Sequence, residues 1–252
     1  MRAVVDALLA RMPLWRFASP ANFYPLAGRL IPRFAFAALL LTMCALAMGL
    51  LAPAYGARAE ASRIVLVHVP AAWLSLLLYL AMAACAALAL ALNARLPALL
   101  LPALAPTGAL FTFIALWTGW LWAQPTWGAS WVWDARLTCE LIQLFLFIGV
   151  LALRSLIADS SRAELACAVL VLVGMLNIPM IYFSLSWWNT LHQGTGASLI
   201  GSSAMARAML GAILLMTLAF CMYSNAVVLA RVRCLMLERD ADPAGVEAER
   251  VA

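Results

Sequence analysis

The sequence predicts an all-α, polytopic integral membrane protein with six transmembrane helices and both termini cytoplasmic, and three observations lead there. Of the 252 residues 67% are hydrophobic and 11% charged, against about 45–50% and about 25% in soluble domains, so a water-facing fold of this size lacks the polar side chains to cover its exterior. Six apolar runs are long enough to span a bilayer, which takes roughly 20 residues in a helix. All 16 basic residues are arginines, and they divide unevenly between the two sides that those runs define.

In chain order, residues 1–33 form a cytoplasmic segment in which Arg2, Arg11, Arg16, Arg29 and Arg33 alternate with apolar residues, a pattern suited to lying along the membrane surface. The membrane domain covers residues 34–230. Its spans are expected at about 34–53, 64–92, 97–122, 137–153, 165–185 and 204–230, each an apolar run without an acidic or basic interruption at its centre. The connections are short and polar or proline-bearing, except for a tryptophan-rich loop at 117–136 and a histidine-bearing loop at 186–203. Asn177 and Pro179 in the fifth span read as a kink, and are also the best candidates for the polar or broken midplane helix that a permease would carry. Residues 231–252 carry Glu238, Asp240, Asp242, Glu247 and Glu249 and read as a solvated cytoplasmic tail. With the amino terminus inside, twelve arginines fall on inner segments, and Arg58, Arg63, Arg136 and Arg207 on outer ones. Cytoplasmic loops retain arginine during insertion, so the excess sets the orientation.

The same parity places the rare residues on the outer face. The chain has two histidines, His68 near the outer end of the second span and His192 in the last outer loop. Six of its ten tryptophans, Trp117, Trp120, Trp122, Trp127, Trp131 and Trp133, cluster around one outer connection, and Trp187 and Trp188 stand near His192. An aromatic belt occupies both interfaces, whereas these indoles crowd one. Such a plate suits a large flat aromatic ligand. Two imidazoles without a carboxylate cluster serve zinc poorly and suit the two axial positions of a haem iron. Arg63 and Arg136 can pair with anionic carboxylates such as propionates, or Arg136 can pair with Asp134, itself a candidate helix cap. Glu140 and Gln143 sit one turn apart in the fourth span, where a carboxyl must face protein or a water-filled cavity; tuning a ligand and helix packing both remain open to it.

Three strings then point to one family. WGASWVWDARLTCEL (127–141), SRIVLVHVPAAW (62–73) and SWWNTLHQGTGAS (186–198) resemble the tryptophan-rich WWD signature and the two histidine segments of the CcmC, or haem exporter protein C, family. Ser130 replaces a tryptophan familiar in the WWD run, while the Trp-x-Trp-Asp-x-Arg core is intact. The resemblance spans roughly residues 30–230. It implies noncovalent haem b held at the periplasmic face of a bacterial inner membrane by His68 and His192 as iron ligands. The tryptophans, Asp134, Arg136, Arg63 and Glu140 would lie around it. It further implies presentation of haem to the chaperone CcmE during c-type cytochrome biogenesis, beside the ABC transporter subunits CcmA and CcmB and the small protein CcmD, in contact with membrane lipid.

Other functions fit less well. The arginines are dispersed rather than clustered along a phosphate-binding patch, so no nucleic acid partner is expected. The chain carries neither a P-loop nor a CxxCH, so an assembly factor is expected rather than an ATPase, a c-type cytochrome or other enzyme. Its six cysteines read as helix-packing residues. The alternatives are a cytochrome b-type electron-transfer subunit, which commonly places its histidines within facing helices, and a permease for another substrate, which would carry polar groups or broken helices at the bilayer midplane. The charge distribution is directly testable: a reporter fused after Arg231 should read cytoplasmic and one inserted near Gly196 periplasmic. The opposite pair of readings would dissolve the common outer face.

Overall fold

The computed structural model describes residues 20–51, 63–129, 131–187 and 204–240. Seven helices account for nearly all of them: α1 (Pro20–Leu51), α2 (Val65–Leu92), α3 (Arg95–Trp127), α4 (Ala135–Leu156), α5 (Ser160–Gly174), α6 (Asn177–Trp187) and α7 (Ala204–Asp240). Six helical stretches are long and apolar enough to cross a membrane, at Asn22–Leu51, Val65–Leu92, Arg95–Pro125, Ala135–Leu156, Ser160–Ser184 and Arg207–Arg239. The expected all-α, six-helix membrane fold is therefore found, and the described residues contain no strand. Helices are the natural solution, because each satisfies its backbone hydrogen bonds within itself where no water can.

Several boundaries differ from the sequence expectation, each for a local reason. α1 starts at Pro20, inside the expected surface segment, and α7 runs to Asp240, well into the expected tail. Charged side chains end an apolar run without ending a helix, since their heads reach past the membrane edge while the backbone ladder continues. α3 continues through the beginning of the expected 117–136 loop and stops at Trp127, where Gly128 takes φ 77° and donates its N–H to the Gln124 carbonyl. This left-handed cap is a common glycine helix stop. Ser186 and Trp187 belong to α6 rather than to the following loop. The expected kink is a full break: α5 ends at Gly174, Met175 and Leu176 form a turn, and Asn177 opens α6.

α3 is the central helix. It packs on α2, α4 and α7, while α1 lies at the periphery against α7. Asn93, at φ 48°, and Ala94 make the tight reversal between α2 and α3. Where helices cross, glycine notches admit aromatic rings. Phe147 of α4 occupies the space that a Cβ on Gly108 of α3 would take, and the Tyr79 hydroxyl does the same at Gly174. Tyr79 and Phe147 meet edge to face with centroids 5.2 Å apart, and Tyr79 donates to the Val171 carbonyl at 3.2 Å. Lipid tails are as apolar as leucine, so close packing at small residues, rather than water exclusion, holds such helices together. At the far end of the bundle from the first turn of α2, Glu164 of α5 pairs with Arg154 of α4 at 3.8 Å and with Arg239 of α7.

This packing predicts that Gly108→Ala lowers thermal stability in detergent by about 1–3 kcal/mol, the usual range for overpacking a core. Adding Phe147→Leu should restore part of the loss. A Gly108→Ala protein that melts with the wild type would show that the Phe147 ring is not lodged in the notch.

Candidate functional site

The start of α2, the end of α3 and the start of α4 meet at one end of the bundle, and the expected site residues in the described part of the chain lie there. His68 is in the first turn of α2, its backbone N–H bonded to the Ile64 carbonyl at 2.9 Å. Its Nδ1 is 3.0 Å from the Ala115 carbonyl and 3.0 Å from the Thr118 hydroxyl, both on α3. A carbonyl only accepts, and Thr118 spends its own proton on the Ile114 carbonyl at 2.6 Å; Nδ1 therefore carries the hydrogen. In the neutral ring the lone pair is then on Nε2. The ring also lies over Gly119, where a Cβ would come within 3.2 Å of His68 Cε1. Helix α3 thus fixes both the tautomer and the plane of the imidazole.

The helix register sorts the tryptophans. Trp122 follows Thr118 by four residues and Gly119 by three, which puts it on the face of α3 that touches His68; it is half-buried. Trp117 and Trp120 project from the opposite face, 53% and 48% exposed, in line with the exposed Phe113. Phe113 and Trp117 contact each other at 5.6 Å. The six indoles are therefore not one plate: α3 alone presents them in two directions. Trp127 is the last residue of α3 and Trp187 the last of α6, whereas Trp188 and His192 lie outside the described residues.

Between α3 and α4 residues 131–134 form no helix; the Asp134 N–H bonds to the Val132 carbonyl at 2.8 Å, and Trp131 and Trp133 contact each other edge to face at 5.5 Å. Trp133 is 73% exposed. Trp131 is half-buried, and its Nε1 is buried with no acceptor among the described residues. Asp134 caps α4, accepting from the Leu137 N–H at 2.7 Å, as one reading of the sequence expects. Arg136 occupies the first turn of α4 with Asp134 and Glu140 as its electrostatic neighbours. Arg63 is in the turn that leads into α2.

Glu140 is buried, and the Ser75 hydroxyl of α2 donates to its Oε1 at 2.7 Å. One turn further along α4, the Gln143 Oε1 accepts from Asn177 Nδ2 at 3.0 Å, and the same nitrogen donates to the Cys139 carbonyl at 2.9 Å. Sequence reading does not single out Ser75, Ala115, Thr118 or Gly119. A signal exists for Ser75: it follows His68 by seven residues, two helical turns along the same face. The α3 partners have none, because only the packing of α2 on α3 brings them to the histidine.

Among the described residues no group of three or more His, Cys, Asp or Glu side chains is arranged to hold a metal ion. The six cysteines are free; Cys139 and Cys167 are buried, as suits packing residues, whereas Cys44 and Cys234 are exposed.

The family model described as Heme exporter protein C matches residues 13–247. A Heme exporter protein C of Haemophilus influenzae is 40% identical over 92% of this chain and 95% of the relative. That of Bradyrhizobium diazoefficiens is 40% identical over 90% and 87%, and that of Escherichia coli K12 is 44% identical over 72% and 75%. With the family model covering nearly the whole chain and relatives at this identity over most of both sequences, the chain belongs to the Heme exporter protein C (CcmC) family.

Proposed function

We propose that this protein binds haem as cargo at the periplasmic end of its helix bundle and presents it to the chaperone CcmE during c-type cytochrome biogenesis. The observation that carries the reading is the held imidazole of His68. Histidines that ligate metals characteristically donate their other ring N–H to a carbonyl or carboxylate, which fixes the tautomer and raises ligand basicity. His68 meets that requirement through the Ala115 carbonyl and the Thr118 hydroxyl. His192 of the SWWNTLHQGTGAS segment is the second axial ligand.

The surroundings suit a flat amphiphile with two carboxylates. Trp122, Trp131 and Trp133, with Trp127, Trp187 and Trp188 from the flanking segments, supply stacking surface. The buried Trp131 Nε1 has a proton to donate. Arg63 and Arg136 supply positive charge toward the propionates, and Asp134 holds the start of α4 in place beneath the tryptophan segment. Trp117 and Trp120, on the other face of α3, anchor the bundle at the lipid interface. Haem b bound here is noncovalent and supplies the iron; the protein supplies ligands, orientation and shelter from water. The arrangement is that of a carrier subunit in the bacterial inner membrane, with CcmA, CcmB and CcmD as its partners and ATP hydrolysis left to them. An electron-transfer subunit would gain nothing from a ligand in a connecting loop, which favours capture and release over a permanent redox site.

Two expectations follow. Replacing His68 or His192 by Ala should shift purified, haem-loaded protein from a six-coordinate low-spin spectrum toward high spin, or empty it, and added imidazole should partly restore the low-spin bands. A double His68→Ala, His192→Ala variant that inserts normally and keeps an unaltered bis-imidazole spectrum would sink the assignment. Replacing Trp131 or Trp133 by Ala should weaken haemin binding about two- to tenfold, from the roughly 0.5–1.5 kcal/mol that an aromatic contact adds. The residual haem should remain low spin, because an indole contributes no iron bond. A change of spin state in these variants would contradict the division between stacking surface and ligands.

A further inference from the structure

The segments that carry proposed haem contacts on either side of the bundle's central helix are each tied to α4 by a hydrogen-bonded polar side chain. Ser75, completely buried on α2, lies on the helical face that bears His68, roughly 10.5 Å further along the axis at 1.5 Å per residue, and donates to Glu140 of α4. The tryptophan segment runs directly into the Asp134 cap of the same helix. Asn177, the first residue of α6 after the break at Met175 and Leu176, binds α4 twice, at Gln143 and at the Cys139 carbonyl. α6 leads in turn to the segment with His192. α4 is therefore the common reference for all three.

We infer that the Ser75–Glu140 hydrogen bond, together with the Asn177 contacts to α4, is a positioning device for the haem site. Glu140 acts through Ser75 and α2 on the His68 ring instead of touching the cargo. α2 packs most broadly on α3, and apolar side chains alone leave several rotations of α2 about its axis of similar energy, since one lipid-like surface slides on another. The Ser75 hydroxyl can also turn to the Ala72 carbonyl of its own helix at 2.9 Å, but the buried Glu140 carboxyl, 2.7 Å away, favours the rotation that keeps Ser75 against it. That rotation also delivers the His68 ring to Ala115, Thr118 and Gly119 on α3. Asn177 does the corresponding work at the helix break, where it ties the first residue of α6 to α4.

The inference rests on the haem-ligand reading above, so the experiment keeps the two apart. Haemin is titrated into the detergent-purified full chain in four forms: wild type, His68→Ala, Glu140→Gln, and a double variant with Ser75→Val and Glu140→Met. The double variant removes both partners of the hydrogen bond together, leaves Arg136 with Asp134 as its acidic neighbour, and should insert and accumulate like the wild type. It should nevertheless bind haemin about tenfold or more weakly, the scale on which groups behind a metal ligand act, with a larger high-spin fraction. Glu140→Gln, whose amide still pairs with the Ser75 hydroxyl, should keep the low-spin spectrum of the wild type. A merely structural role would change the yield and leave the spin state of the bound haem alone. If the double variant keeps wild-type affinity and an unchanged low-spin spectrum while His68→Ala alters both, the positioning role is overturned and the ligand reading stands. If His68→Ala itself changes nothing, the ligand reading is what has failed. Should the double variant not accumulate, Ser75→Ala decides on the same two outcomes, a spin-state change in its support or an unaltered titration against it.

Discussion

A polar group inside a membrane bundle must find its partner within the protein, and much of this structure follows from how that demand is met. The backbone meets it by forming helices. The side chains that break the apolar pattern meet it pairwise: Ser75 with Glu140, Asn177 with Gln143 and the Cys139 carbonyl, His68 with Ala115 and Thr118. Interhelical hydrogen bonds in membrane proteins average only about 0.6 kcal/mol when measured by double-mutant cycles. That is too little for these few bonds to hold the bundle together. It is enough to choose among packings that apolar contacts leave nearly equal in energy, so the polar groups specify the arrangement while close contact stabilises it.

The stabilising contacts are those of small residues with large rings. Phe147 and Tyr79 sit against each other, and each fills the notch of a glycine on a neighbouring helix, Gly108 and Gly174. Gly119 serves a related purpose at the site, where the missing side chain lets the His68 ring lie on α3. The central helix thus has glycines with distinct tasks along its length: Gly108 admits a packing ring, Gly119 admits the imidazole and Gly128 ends the helix so that the tryptophan segment can begin.

The ion cluster of Arg154, Glu164 and Arg239 joins α4, α5 and α7 at the other end of the bundle. Its charged residues stand close to the ends of their helices, where long side chains can reach past an apolar span. At the histidine end Arg63, Asp134 and Arg136 stand beside the Ser75–Glu140 hydrogen bond. Both ends thus carry charged groups, and the imidazole and the indoles distinguish this one.

Composition and the spacing of apolar runs sufficed to establish six membrane helices, because the bilayer imposes a length and a polarity on each span that few other folds share. The cluster of indoles, the two histidines and the capping carboxylate of Asp134 were equally legible, since rare residues stand out against an alanine- and leucine-rich background. Helix ends were less so: α3 passes beyond the expected boundary to Gly128, and α1 and α7 extend into charged sequence, because hydropathy records where the lipid ends and not where backbone hydrogen bonding does. Only the tertiary structure decided which indoles share a face with His68, which nitrogen of its ring carries the hydrogen, and that Glu140 is bonded to Ser75. Those facts depend on how α2, α3 and α4 are rotated about their axes, and a nearly uniform apolar helix carries little periodic signal from which that rotation can be read.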